Sequence, residues 1–227
     1  MTTQGTESTP TTPPPSSPGY ALRFDVKYQE EARDKVTVAL RIFMVIPIYA
    51  VLASITGWSF GWSNWGWGNS TNWQVAIGGG TGVLFVAPAL MIIFRQKYPR
   101  WWFDFSVNLL KFQNRVGAYV CLMRDEYPST DEEQAVKLEA DYPDASQLNR
   151  WLPIVKWLLV IPHLIVLWIL GIGAFVAVIV AWFSILITGE YPRGLFNFVV
   201  GVMRWYNRVI AYAFLLNTDV YPPFSLE

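Results

Sequence analysis

The chain owns one histidine, His163, and one cysteine, Cys121, in 227 residues. Those totals exclude an intrachain disulfide framework and leave no set of Cys and His ligands for a metal ion. Little else assembles a base, a nucleophile or a cofactor cradle. Gly78-Gly79-Gly80-Thr81-Gly82 is superficially like a phosphate loop but lacks the Lys-Ser/Thr that should follow. Close helix packing accounts better for those glycines. His163 follows Pro162 in an apolar run, where an ionisable side chain is a functional candidate by default, here for a proton relay. The expected role is structural: a neutral imidazole bonding the Leu158 carbonyl that Pro162 frees. Cys121 is expected to be an inert, small apolar residue.

The cations carry more information. Arg41 and Lys156 each stand a turn or more inside an apolar run, at matching places in the two halves of the chain. Long basic side chains near a helix end reach back to the interface. The functional reading is a contact with a lipid headgroup or a partner carboxylate, near kinks at Pro47 and Pro162. A second set lies on two amphipathic stretches. At 100° per residue, Asp104, Asn108, Lys111 and Arg115 fall in one polar stripe, and Asn197, Gly201, Arg204 and Arg208 in its counterpart. Such helices lie flat in the membrane interface, or pack beneath the membrane helices as a core element. Lys111, Arg115, Arg204 and Arg208 are thus candidates for binding anionic lipid, at roughly 1 kcal/mol per cation, or a protein partner. Trp58, Trp62, Trp65, Trp67 and Trp73 crowd an external loop of Gly, Ser and Asn, read as an aromatic belt or a surface for a ligand. Asp131-Glu132-Glu133 is a solvated tip, and Glu190 is placed to pair with a nearby cation.

The elements that position these residues follow from where charge is missing. All 17 Lys and Arg fall outside the windows 42–94 and 157–192. Apolar residues make 53% of the chain and charged ones 15%, against a usual charged share of about 25%. Four membrane helices are predicted, over about 36–56, 75–94, 151–170 and 172–188, the last pair turning over Gly171-Ile172-Gly173. Both hairpin mouths carry the cations, so both termini should be cytoplasmic. The halves repeat. Phe24 to Tyr28 matches Leu138 to Tyr142, Tyr98-Pro99-Arg100 matches Tyr191-Pro192-Arg193, and Asn114 to Tyr119 matches Asn207 to Tyr212. Asp125-Glu126-Tyr127-Pro128 likewise matches Asp219-Val220-Tyr221-Pro222. An even number of spans per copy makes this a parallel repeat.

Alternation over 22–28 and 136–142 predicts strands, with 118–124 and 211–217 as partners in a small four-stranded cytoplasmic sheet. The domain reading is a Pro/Thr/Ser-rich disordered tail over 1–19, a first membrane repeat over 20–130 and a second over 131–227, with interfacial helices at about 101–117 and 194–209. The fold class is therefore mainly α: a polytopic membrane protein of two hairpins, two amphipathic helices and a small sheet. Net charge is zero, so no nucleic-acid partner is indicated.

Asn149-Arg150-Trp151-Leu152-Pro153, Ile161-Pro162-His163, Gly189-Glu190-Tyr191-Pro192-Arg193-Gly194-Leu195-Phe196, Arg204-Trp205, Asn207-Arg208 and Tyr221-Pro222-Pro223-Phe224-Ser225-Leu226 resemble a bacterial family of integral membrane proteins. That family, common in actinobacteria, is known as a domain of unknown function. The resemblance is close over roughly 136–227 and diluted in the first half. It implies a multi-pass protein of the bacterial cell (inner) membrane and no activity, cofactor or catalytic residue.

The expected function is non-enzymatic: an accessory or scaffold subunit that holds a membrane-protein partner, a second copy or anionic lipid at the cytoplasmic face. A small oligomeric transporter or channel is the alternative.

Overall fold

In the computed structural model, residues 20–56, 81–130 and 132–227 are described. Along the chain come strand β1 (Leu22–Val26), helices α1 (Lys35–Thr56), α2 (Thr81–Arg95) and α3 (Arg100–Val120), and strand β2 (Val136–Ala140). Helices α4 (Leu152–Thr188) and α5 (Arg193–Ile210) follow, α5 running on into a π-helical turn, Ala211–Leu215. The 1–19 tail, the tryptophan loop with its five named tryptophans, Gly78 to Gly80 and Asp131 lie outside the described residues.

The strands form as their alternation dictates. Leu22, Phe24 and Val26 turn inward while Arg23, Asp25 and Lys27 face out. β1 pairs antiparallel with β2 with Phe24 opposite Leu138 at the centre of the register. The sheet has two strands, not four. Residues 118–120 complete α3, and 211–215 stay helical. Apolar side chains there continue the buried helical face, and each helix stops at a leucine in the left-handed region, Leu122 (φ 61°) and Leu216 (φ 55°).

The two-stranded sheet lies on α3 and α5, with β2 against α3 and β1 against α5. On the other side of α5 lies α4, so α5 is covered on two faces and carries buried residues nearly all round. It thus packs as a core element between the sheet and α4, as the second of the two placements its amphipathic pattern allows would have it.

The expected turn at Gly171-Ile172-Gly173 is absent: α4 is one unbroken helix of 37 residues. A tight turn in apolar surroundings strands the unpaired N–H and C=O groups of two helix ends. Glycine inside a helix costs only about 1 kcal/mol. Packing follows the same logic, since Pro153, Lys156, Val160, His163 and Leu167, then Ala177, Ala181 and Ile185, make a single buried stripe at spacings of three and four. The opposite face is exposed and mostly apolar, including Trp157, Leu158, Ile165, Trp168, Phe175, Phe183 and Ile187. α1 and α2 also expose large apolar side chains, among them Phe43, Ile46 and Phe94. Its segments Lys35–Arg41 and Phe43–Leu52 are bent by 52°, where the ring of Pro47 crowds the Phe43 carbonyl.

Among the described residues one helix, α4, is long and apolar enough to cross a membrane, and the two bent segments of α1 pass the same test together.

Candidate functional site: two clamped cations under the apolar helices

Arg41 and Lys156 are 2% and 1% exposed. Neither reaches solvent or a lipid surface. The Arg41 guanidinium donates to the carbonyls of Tyr119 and Arg124, both at 3.1 Å, and to the carboxylate of Asp125. It also sits 4.4 Å from the centre of the Tyr119 ring. Lys156 Nζ donates to the Thr218 carbonyl at 2.6 Å, pairs with Asp219 at 2.8 Å and lies 4.9 Å from the Tyr212 ring centre. Each clamp therefore has a cation from an apolar helix, a ring from the end of the following core helix, and a carboxylate and carbonyl just beyond it. A cation desolvated this far is tolerable only with its charge paired and its donors used.

Sequence reasoning named the two cations and a lipid headgroup or a partner's carboxylate as their contact, whereas the carboxylates are the chain's own Asp125 and Asp219. The signal was present: Asp125 and Asp219 recur at matched positions, as Arg41 and Lys156 do.

Other matched positions also make matched contacts. At the crossing of α3 and α5 the amides of Asn114 and Asn207 donate to one another, at 2.8 and 2.6 Å. Each also donates to the carbonyl four residues before it, Leu110 and Met203. Tyr28 Oη donates to the Tyr191 carbonyl and Tyr142 Oη to the Tyr98 carbonyl. The Arg193 guanidinium stands over the Tyr28 ring and that of Arg100 over the Tyr142 ring, at 4.9 and 5.6 Å. In every such pair of contacts an early residue meets a late one, so strand and helix are exchanged between halves. Burial pushes the phenols of Tyr98 and Tyr191 up, keeping both neutral, and Tyr98 spends its proton on the Leu215 carbonyl at 2.9 Å.

The basic stripe turns toward the sheet. Arg204 bridges the Phe24 carbonyl (3.1 Å), the Asp25 carboxylate (3.2 Å) and the Leu226 carbonyl (3.4 Å). Arg208 is buried and donates to the Ser225 carbonyl at 2.7 Å, and Arg115 donates to that of Ser129 at 2.7 Å. Lys111 lines a groove beside β2 with Arg115, Glu133 and Lys137. Three of these four cations thus tie the chain to itself, and the anionic-lipid expectation for them gains nothing from their placement. Among the described residues Glu190 makes no ion pair.

His163 is fully buried. Its Nδ1 accepts from the indole N–H of Trp205 at 3.1 Å, and its ring stacks on Phe224 at 3.9 Å with Tyr221 4.8 Å away. An Nδ1 that accepts leaves the proton on Nε2, which has no partner. The imidazole holds the Tyr221–Leu226 segment against α4. The Leu159 carbonyl is taken by Tyr221 Oη at 3.1 Å. No group of three or more potential metal-ligating side chains occurs among the described residues.

The class these observations define is a mainly helical protein with apolar outer helices over a small polar layer. Residues 152–225, which hold α4, α5 and the Phe224 contact, match the family model described as "Domain of unknown function (DUF4389)". The match begins after Arg41, Asn114, Asp125 and β2. No curated protein matches the chain, and no solved structure does.

Proposed function

We propose that this protein is a non-enzymatic accessory or scaffold subunit of the bacterial cell membrane, built by tandem duplication. Its apolar helices are embedded in the bilayer, and its sheet and core helices form a rigid cytoplasmic platform. The observation that carries this reading is the partition of surface: large exposed apolar side chains crowd α1, α2 and α4, while the outward strand face alternates Arg23, Asp25 and Lys137. A surface like that of α4 is stable only against lipid or another apolar body.

The residues just before α1 and just after α2 both touch the platform, through Arg33 on the Met123 carbonyl and Tyr98 on the Leu215 carbonyl. A two-pass excursion between them, with both termini cytoplasmic, fits. α4 differs. At 37 residues it is about 55 Å long, well beyond the roughly 30 Å hydrocarbon core. Both its ends meet the platform, Lys156 at Asp219 and Gly189 at Arg33. We therefore read α4 as lying along the inner leaflet, with its exposed face toward the acyl chains. A transporter or channel needs polar groups facing a path, whereas Arg41, Lys156 and His163 are all enclosed and engaged.

A single cysteine tests this. Gly171 has open space around it, so Gly171→Cys in a Cys121→Ala background should fold. In intact cells it should resist an impermeant maleimide added outside, whereas a cysteine at Ser63 should react. Labelling of Gly171→Cys from outside would restore the two-pass hairpin and reject the in-plane α4.

A further inference from the structure

The two long edges of the sheet are chemically alike but differently filled. The bonds Lys27 N–H to Ala135 O and Asp141 N–H to Ala21 O flank the ladder. With alternation along an antiparallel pair, Phe24 and Leu138 form a non-hydrogen-bonded pair whose N–H and C=O groups point outward to the two edges. On the β1 edge the chain fills the seat itself. Arg204 joins the Phe24 carbonyl to the Leu226 carbonyl, Arg208 holds the Ser225 carbonyl, and Leu226 lies directly on Gly201.

On the β2 edge the matched floor residues are Asn108, Lys111 and Arg115. The chain leaves this seat early. Arg115 takes the Ser129 carbonyl, and the path then turns into β2. Asn108 is exposed, and among the described residues Lys111 makes no hydrogen bond or ion pair and leaves open a groove of about 210 Å³, lined by Lys111, Arg115, Val136, Lys137, Leu138 and two glutamates, Glu133 and Glu139.

We propose that this groove docks an extended, acidic segment of a partner protein, which lies along the free edge of β2 and places a carbonyl or carboxylate on Lys111. The occupant's chemistry is read from the filled seat: a short stretch with an aliphatic side chain, main-chain carbonyls facing the cations and no helix. In the filled seat Arg204 and Arg208 hold the segment's carbonyls; on the β2 edge Lys111 offers the same contact, and the outward Leu138 N–H and C=O are free to add main-chain bonds. This names the partner class of the scaffold reading and rests on it. It can fail separately, since the membrane topology is tested without any peptide.

The probe is a fluorescent peptide, Tyr-Pro-Pro-Phe-Ser-Leu-Glu, titrated into the full-length protein in nanodiscs of neutral lipid. We expect saturable binding that Lys111→Glu weakens by about tenfold or more, the effect of reversing a contact charge, and that Lys111→Arg retains. Replacing the peptide's Glu with Lys should weaken binding as well. Absence of saturable binding up to millimolar peptide overturns the proposal. So does binding indifferent to Lys111→Glu, which would mean the probe merely displaces the native segment from β1. Lys111-dependent binding of anionic vesicles without peptide binding overturns it in favour of lipid.

Discussion

At the level of single residues, the two clamps make a sharp prediction. Asp125→Asn or Asp219→Asn leaves a desolvated cation with carbonyls and a ring but no counter-charge. Removing one partner of a buried pair costs about 3–5 kcal/mol. These carboxylates are 23% and 28% exposed, so the loss should be near the low end, about 3 kcal/mol. Replacing the whole clamp by Lys156→Met with Asp219→Leu should cost far less, and denaturant titration in detergent would rank the variants. Cys121 offers a pH test. Burial lifts its thiol from 9.0 to about 11, so the native fold retains a proton that the unfolded chain gives up. Its stabilising share is complete below pH 9 and fades as pH rises toward 11. Alkylation at pH 8 should be slow in the native protein and fast after unfolding; fast native alkylation would contradict the assignment.

Among the elements, Gly201 decides how close the chain's last segment can come. A Cβ there would stand 2.9 Å from Leu226 Cβ and 3.0 Å from its carbonyl oxygen. At Gly117 the equivalent atom would meet only the flexible end of Met203, at 3.3 Å. Gly201→Ala should therefore speed chymotryptic cutting after Phe224 severalfold while Gly117→Ala leaves it unchanged. The elements were also where the sequence was most and least readable. Charge-free windows located α1, α2 and α4, because their exposed faces are apolar. Alternation located β1 and β2, because one face of each strand is buried and the other is not. It failed at 118–124 and 211–217, where a short apolar run has no period of its own and the preceding helix simply continued. It failed again at Gly171, because glycine marks a permitted break and not a required one. The clamps were half legible: composition pointed to the cations, but only folding joins Arg41 to a carboxylate 84 positions away.

For the whole molecule, the exposed apolar faces of α1, α2 and α4 predict that the protein stays in the pellet after alkaline carbonate washing of membranes and leaves it only with detergent. Release by carbonate would mean that another protein, not lipid, covers α4. The reciprocal Asn114–Asn207 amides sit at the crossing of α3 and α5. Asn207→Leu leaves the Asn114 amide short of its partner and should cost about 1–3 kcal/mol, whereas Asn114→Leu with Asn207→Leu should recover much of that loss.

The exchange of strands between halves has a consequence for biosynthesis. β1 is made well before its partners: the arginine that donates to its Phe24 carbonyl comes 180 residues later. At synthesis rates of about 5–20 residues per second, the strand waits on the order of ten seconds or more for its seat. Until β2 follows, it is an unpaired, half-apolar edge. A chaperone or the nascent chain's own second strand must shelter it, and a ribosome stalled before α5 would release a product with no finished platform.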